Sequence, residues 1–515
     1  MRCEVGMEYF LSLVIFFPAV AAVLGFLIDE ASIKTYAVTM SFIEFVLSLV
    51  LWIFYEPVDG IAFSVLHPFI SEYGINYFIG VDGISLFLVI LSTLITFLAL
   101  LSLSIKERAK NLIICILFLE MTMVGVFVAL DAILFYIFWE LSLIPMLYII
   151  GAWGSGKRIY AAVKFFIYTF LGSMFLLVGL VAMSYFYHEA TGEYSFNILN
   201  WQSLSLPLST QIPLFLAFSV AFAIKTPCFP FHTWLPYAHG QAPTIGSVLL
   251  AAVLLKMGTY GFVRFSLPLF PDASVHFSGM MCAVAIVMII YASFIAFAQK
   301  DIKQVIAYSS IAHMGVIMLG IFSMSREGMS GAVFLMISHG IVSGGLFMLV
   351  GFLYDRRHTK LFSEFGGLAR VMPLYAFCFC VVLLGSIGLP LTIGFVGEFL
   401  SLAGIFKISF NYALLGGLGI IMGAIYSMNL YKKTFFGALV HEENKKLSDL
   451  NRTELCSIIP ICVLVVALGV APNLMLKSIE PSVTQSLELM FNKASQTATR
   501  AYMEKANFKV RSDAK

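Results

Sequence analysis

Runs of about twenty apolar residues recur from one end of this chain to the other, and nothing else constrains its fold as much. A helix of about 20 residues crosses the hydrocarbon core of a bilayer. Only helices and closed barrels can satisfy their own backbone groups there. The runs are continuous and lack the alternation of barrel strands, so they read as helices. Of the 515 residues, 60% are hydrophobic and 12% charged, against about 25% charged in a soluble domain. The expected fold is an all-α polytopic membrane protein.

The runs divide into fourteen expected spans, near 8–28, 34–55, 82–105, 111–130, 132–152, 160–187, 211–230, 243–265, 277–298, 302–323, 329–353, 373–406, 411–436 and 454–476. The seventh is broken by Pro227 and Pro230, the twelfth by the stretch GLPLTIGFVGEF from Gly388 to Phe399. Spans four to eight and nine to thirteen form two five-helix blocks whose interruptions correspond, the pattern of an inverted repeat. The expected organisation is residues 1–110 (three N-terminal helices), 111–265 (first repeat), 277–436 (second repeat) and 437–515 (a last span and a polar tail). The tail from Lys477 reads equally as an amphipathic surface helix or as disordered. Arg2 and the run Ala19–Ala22 imitate a cleaved leader, but Glu4 and Glu8 spoil the basic n-region and the apolar run continues to Ile28.

Lys and Arg in short loops set orientation. With these spans one side collects seventeen, among them Lys34, Lys106, Lys157, Lys303, Arg356, Lys360 and Lys433, and the other collects five, tail excluded: Arg2, Arg264, Arg326, Lys407 and Lys477. The bias puts the odd-to-even loops in the cytoplasm (or matrix) and both termini outside. A net charge of +2 argues against a nucleic-acid partner. The eight Cys are scattered with no CxxC, and the nine His form no HExxH. With no P-loop and no dinucleotide fingerprint either, no metal or redox cofactor is expected in this chain.

Several apolar runs nevertheless carry charge or histidine: Glu120 in span four, Glu140 in five, Lys225 in seven, Lys256 in eight, His313 in ten, His339 in eleven and Glu398 after the break in twelve. A charge near the midplane costs about 2.5–3.5 kcal/mol on insertion scales. Helix packing alone is achieved more cheaply with Ser or Thr. The set therefore reads as a proton path. Burial disfavours the charged form of Glu and Lys, a facing opposite charge restores it, and imidazole titrates near physiological pH without help. A Glu140–Lys225 pair would act as a switch, with Lys256, His313 and His339 as relay and Glu398 as terminal site. Lys225 precedes Pro227 by two residues. A broken helix is tolerated at membrane depth only where its backbone is buried in protein or lines a cavity, and the end of its first half favours an ammonium. His232 and His239, just past the break, flank the path or are satisfied polar residues. Glu120 either joins the axis or pairs across to a neighbour.

The stretch FAIKTPCFPFHTWLPYAHGQAPTIGSVLLAAVLLKMGTYG, Phe222 to Gly261, together with FWELSLIPM from Phe138, DIKQVIAYSSIAHMG from Asp301 and GLPLTIGFVGEF from Gly388, resembles the antiporter-like subunits of respiratory complex I and of multi-subunit cation/proton antiporters. The resemblance covers nearly the whole chain. It implies fourteen helices with two inverted five-helix repeats and a proton path along a central hydrophilic axis. Carried over by position, the axis residues are Glu140, Lys225, Lys256 and Glu398, with His232, His313 and His339. Most members have Lys in span twelve; Glu398 is similar to one of the three complex I members. The resemblance implies a proton-translocating subunit of NADH:quinone oxidoreductase with no redox centre of its own. NADH, FMN, iron–sulfur and quinone sites are then expected in other subunits. Implied partners are the other complex I membrane subunits, neighbouring antiporter-like ones included, and the lipid bilayer. The implied location is a bacterial inner membrane, with the mitochondrial inner membrane as alternative. Competing readings are a cation/proton antiporter subunit without an electron donor, a membrane hydrogenase or formate-hydrogenlyase subunit, and a scaffold whose buried charges only fix packing.

Overall fold

A computed structural model of the chain describes residues 4–57, 60–105 and 107–507. Eleven helices are long and apolar enough to cross a bilayer, and shorter apolar helices lie at Tyr9–Gly25, Leu86–Leu101 and Pro373–Ile387, where spans one, three and the first half of twelve were expected. The described residues form a polytopic helical membrane protein.

Burial sorts the helices into two layers. Thr244–Leu269, Ile302–Phe322 and Arg326–Arg357 are interior almost throughout, whereas Ile33–Phe54, Arg158–Thr191, Phe410–Phe435 and Arg452–Val470 turn apolar side chains outward. Without water there is no cost to such exposed Leu, Ile and Phe, which is why the outer helices are apolar all round. The interior helices bring Lys256, His313 and His339 to the centre.

Both expected interruptions are present. Span seven runs Leu208–Lys225, breaks, and resumes as Trp234–Gln241. Pro227 has no N–H to donate. The Ala223 carbonyl it leaves free accepts from the Cys228 N–H instead, and the Ile224 carbonyl left over accepts from Trp234 Nε1 at 2.9 Å. Span twelve runs Pro373–Ile387 and resumes at Ile393–Ile408, with Gly388 at φ +74° closing the first half. That left-handed conformation is easily adopted only by glycine.

Three features depart from the expected pattern. Span five is two helices, Ala132–Leu141 and Leu143–Trp153, because Pro145 lacks an N–H and its ring clashes with the Leu141 carbonyl. Span eight contains two π-helical turns, Leu250–Leu254 and Phe262–Ser266, on either side of Lys256. The connection between spans two and three holds an antiparallel hairpin of Ala62–Ile70 and Ile75–Val81, a small β element in an otherwise helical fold. The tail, left open between helix and disorder in the sequence, forms helices Asn473–Lys493 and Thr497–Asn507. They dock through Ser495 and Gln496, which donate to the Asp272 carboxylate.

Candidate proton-path site

Span eight supplies the centre. Its Lys256 is wholly buried, and its ammonium donates to the Ala251 carbonyl in the first π turn. The same nitrogen is 2.8 Å from His339 Nδ1. The His339 ring lies 5.6 Å from that of His313. His313 Nδ1 is 3.1 Å from Glu398 Oε1, and its Nε2 is 3.3 Å from Ser386 Oγ. Lys256, His339, His313 and Glu398 therefore form one row through four helices. His339 Nε2 and Glu398 Oε2 are buried without a protein hydrogen-bond partner, so each has an unused place for a proton or a donor. Gly388 is packed so tightly on Glu398 that a Cβ there would lie 2.3 Å from Oε2. The break in span twelve thus presses on the carboxylate.

Around Lys225 the arrangement is looser. Its ammonium donates to Ser142 Oγ at 3.3 Å, in the kink of span five, and lies 5.1 Å from the centre of the Trp139 ring. Glu140 is half-buried with Oε1 unpartnered, two residues from Ser142. Among the described residues the expected Glu140–Lys225 ion pair is not closed; the Ser142 hydroxyl takes the ammonium. Glu140 and Lys225 remain within electrostatic reach of each other. The next step inward is set by Gly258 of span eight, where a Cβ would fall 2.3 Å from Thr226 Oγ1. Only a glycine lets the broken end of span seven approach span eight so closely.

His239 is buried with both ring nitrogens unpartnered and stacks on Phe347 at 4.6 Å. His232 is buried between Phe229 and Tyr291, 5.7 and 5.4 Å away, near the break and outside the row. Glu120 is also outside it. It faces a second buried carboxylate, Glu44 of span two, and all four oxygens lack partners.

Four further charged residues, Lys303, Lys360, Arg264 and Glu44, were not singled out in the sequence. Lys303, counted among loop lysines, is buried and donates to the Ala242 carbonyl at 2.7 Å. Lys360 beside it donates to the Gly240 carbonyl at 3.0 Å. Burial pushes the Lys360 ammonium below the usual lysine range, and the Asp301 carboxylate opposes the shift. The side chains of Lys303, Lys360 and Asp355 line a cavity of about 180 Å³ whose inner wall includes Phe347. Arg264, counted as an outer loop residue, is buried in an ion pair with Asp82 at 2.7 Å, and its Nε donates to Tyr260. The only available signal for Lys303 was its position two residues after the helix-capping Asp301. Glu44 stood in plain view as the one charge inside the run SFIEFVLSL.

Residues 129–425 match the family described as NADH:quinone oxidoreductase/Mrp antiporter, TM. The chain belongs to that family. Its relatives include subunits named for NADH-quinone oxidoreductase. It is 47% identical to the NADH-quinone oxidoreductase subunit M of Rickettsia prowazekii (strain Madrid E) over 82% of this chain and 85% of that one. It is 44% identical to subunit M of Rhodobacter capsulatus over 94% and 97%. Among solved structures it is similar to a chain of respiratory complex I from Thermus thermophilus with bound NADH, at TM-score 0.85, 31% identity, 93% of this chain and 99% of that chain.

Proposed function

We propose that this chain is a proton-translocating membrane subunit of NADH:quinone oxidoreductase in a bacterial inner membrane. The electron-transfer centres belong to other subunits, and this chain moves protons through its buried Glu, Lys and His side chains. One observation carries the reading: the row Lys256–His339–His313–Glu398 through the interior of membrane-spanning helices. A buried row of exchangeable protons is a costly way to pack helices and an effective way to pass a proton.

The steps follow from the donors and acceptors. An imidazole accepts a proton at one nitrogen and releases one from the other. With its own proton on Nε2, His339 takes a proton from the Lys256 ammonium at Nδ1 and releases the Nε2 proton onward. His313 likewise connects to Glu398. Protons enter at the cavity beside Lys303, on the side the charge bias assigns to the cytoplasm, and pass His239 to Lys256. Glu398 delivers them outward. Lys225 is the switch. When its ammonium leaves Ser142 and closes on Glu140, its charge is neutralised and the row reloads. Ser142, in a kink that leaves both flanking helix ends free to tilt, holds the open position. The neighbouring membrane subunits continue the polar axis at the Glu140 and Glu398 ends.

Lys256→Met tests the row. Inverted vesicles carrying the assembled variant complex should acidify with NADH at least tenfold more slowly than wild type. Unchanged acidification in an assembled complex would remove Lys256 from the path and favour the scaffold reading.

A further inference from the structure

The cavity beside Lys303 has an unusual lining for the mouth of a cation path. It holds about 180 Å³ between the helices Leu86–Leu101, Thr244–Leu269 and Arg326–Arg357. It reaches the surface at Ser104, which is exposed, and ends inward at Phe347, on which His239 stacks. The charged side chains lining it among the described residues are two ammonium groups, Lys303 and Lys360, and one carboxylate, Asp355. The carboxylate accepts from Ser104 Oγ at 2.6 Å. Neither ammonium is in a salt bridge among the described residues; both are held by the Ala242 and Gly240 carbonyls, at the end of the half-helix Trp234–Gln241. A helix C-terminus carries partial negative charge and fixes cations there. The positive charge is therefore anchored in the wall.

We propose that Lys303 and Lys360 determine ion specificity, making this vestibule an entrance that excludes Na⁺ and K⁺ while admitting H⁺. The inference rests on the proton-path reading above. An alkali cation entering the vestibule approaches two fixed positive charges in a low dielectric, where like-charge repulsion is strong. A proton does not have to pass as a free ion. It passes by exchange between water molecules of the vestibule, each releasing one proton as it accepts another, so charge and atoms balance while both ammonium groups keep their charge. The unpartnered His239 nitrogens are the acceptors behind it. Fixed cations lining a pore exclude other cations in this way.

The test uses the whole complex in inverted vesicles, where the vestibule faces the medium. NADH-driven acidification and ²²Na⁺ uptake are measured for the double variant Lys303→Gln/Lys360→Gln in NaCl and in N-methylglucamine chloride of equal ionic strength. Wild type should acidify equally in both. The double variant should lose about fivefold of its acidification in NaCl alone and take up Na⁺ with NADH. The double arginine variant, which keeps both charges, should behave as wild type. If the double Gln variant shows the wild-type salt response, or the arginine variant admits Na⁺, the proposal is wrong. If the double variant fails to assemble, the half-buried Lys360→Gln alone decides by the same comparison. Loss of pumping in Lys256→Met without any Na⁺ response in the Gln variant would overturn the specificity proposal and leave the proton path standing. Normal pumping in Lys256→Met would overturn the path itself.

Discussion

The two interrupted helices differ in how far their charges are connected. At the break in span twelve, Glu398 is in contact with His313, which neighbours His339 and through it Lys256; the row is closed. At the break in span seven, Lys225 reaches only a serine hydroxyl, and Glu140 keeps an unpartnered oxygen. One half holds a contiguous row of titratable groups and the other an open pair. Both breaks use the same device, a glycine that lets backbone or carboxylate come close: Gly258 against Thr226, Gly388 against Glu398. The difference lies in what the approach delivers, a hydroxyl side chain in one case and a titratable carboxylate in the other.

That contrast can be broken at the closed end first. Glu398→Lys introduces the residue that most of the family carries in span twelve. Here it removes the acceptor of His313 and forces a longer side chain against Gly388. Acidification should fall about five- to tenfold in an assembled complex, and an equal rate would mean that the His313–Glu398 contact carries no protons. At the open end the expected effect is smaller. Ser142→Ala deprives the waiting Lys225 of its acceptor, and a buried group left unsatisfied costs about 1–3 kcal/mol. The switch should then rest closed on Glu140, lowering turnover about two- to threefold without loss of coupling. A change in the ratio of protons to NADH would place Ser142 in the path itself.

The smallest expected effect lies outside both regions, in the docked tail. Burial lowers Lys493 to about 8. Its folded-state value is below the lysine range, so charging it opposes docking. That cost is fully present below pH 8 and fades as pH rises through 8 towards the unfolded value near 10.4. Protease cleavage near Arg500 should therefore slow between pH 7 and pH 9. A Lys493→Met variant should show a flatter profile; an identical profile would assign the change to other groups.

Much of this was legible because charge is scarce in a bilayer. Lys225, Lys256, His313, His339 and Glu398 stand alone in apolar runs, and prolines announce the break beside Lys225. Four of them lie in the closed row. The ion pair expected between Glu140 and Lys225 was not visible as open, because the kink at Ser142 depends on where Pro145 points the next helix. Lys303 and Lys360 were hidden by a rule that works for most of their neighbours. Loop lysines usually face water, and these two turn inward only because the half-helix Trp234–Gln241 ends beside them. The hairpin at 62–81 escaped because its turn, closed by Gly74 at φ +62°, lies between runs whose alternation is weak. Arg264 was read as a loop residue since its partner Asp82 is far away in the sequence and near only in the fold.

The most direct test of the central claim is NADH-driven acidification of inverted vesicles from a Glu140→Gln strain, measured with NADH:quinone activity and a check of assembly. Glutamine keeps the shape and removes the charge that Lys225 closes on. If the switch operates as argued, the complex assembles while acidification and coupled turnover fall at least tenfold. Unchanged acidification and NADH activity in an assembled complex would contradict it, and would leave the buried charges with packing as their only role.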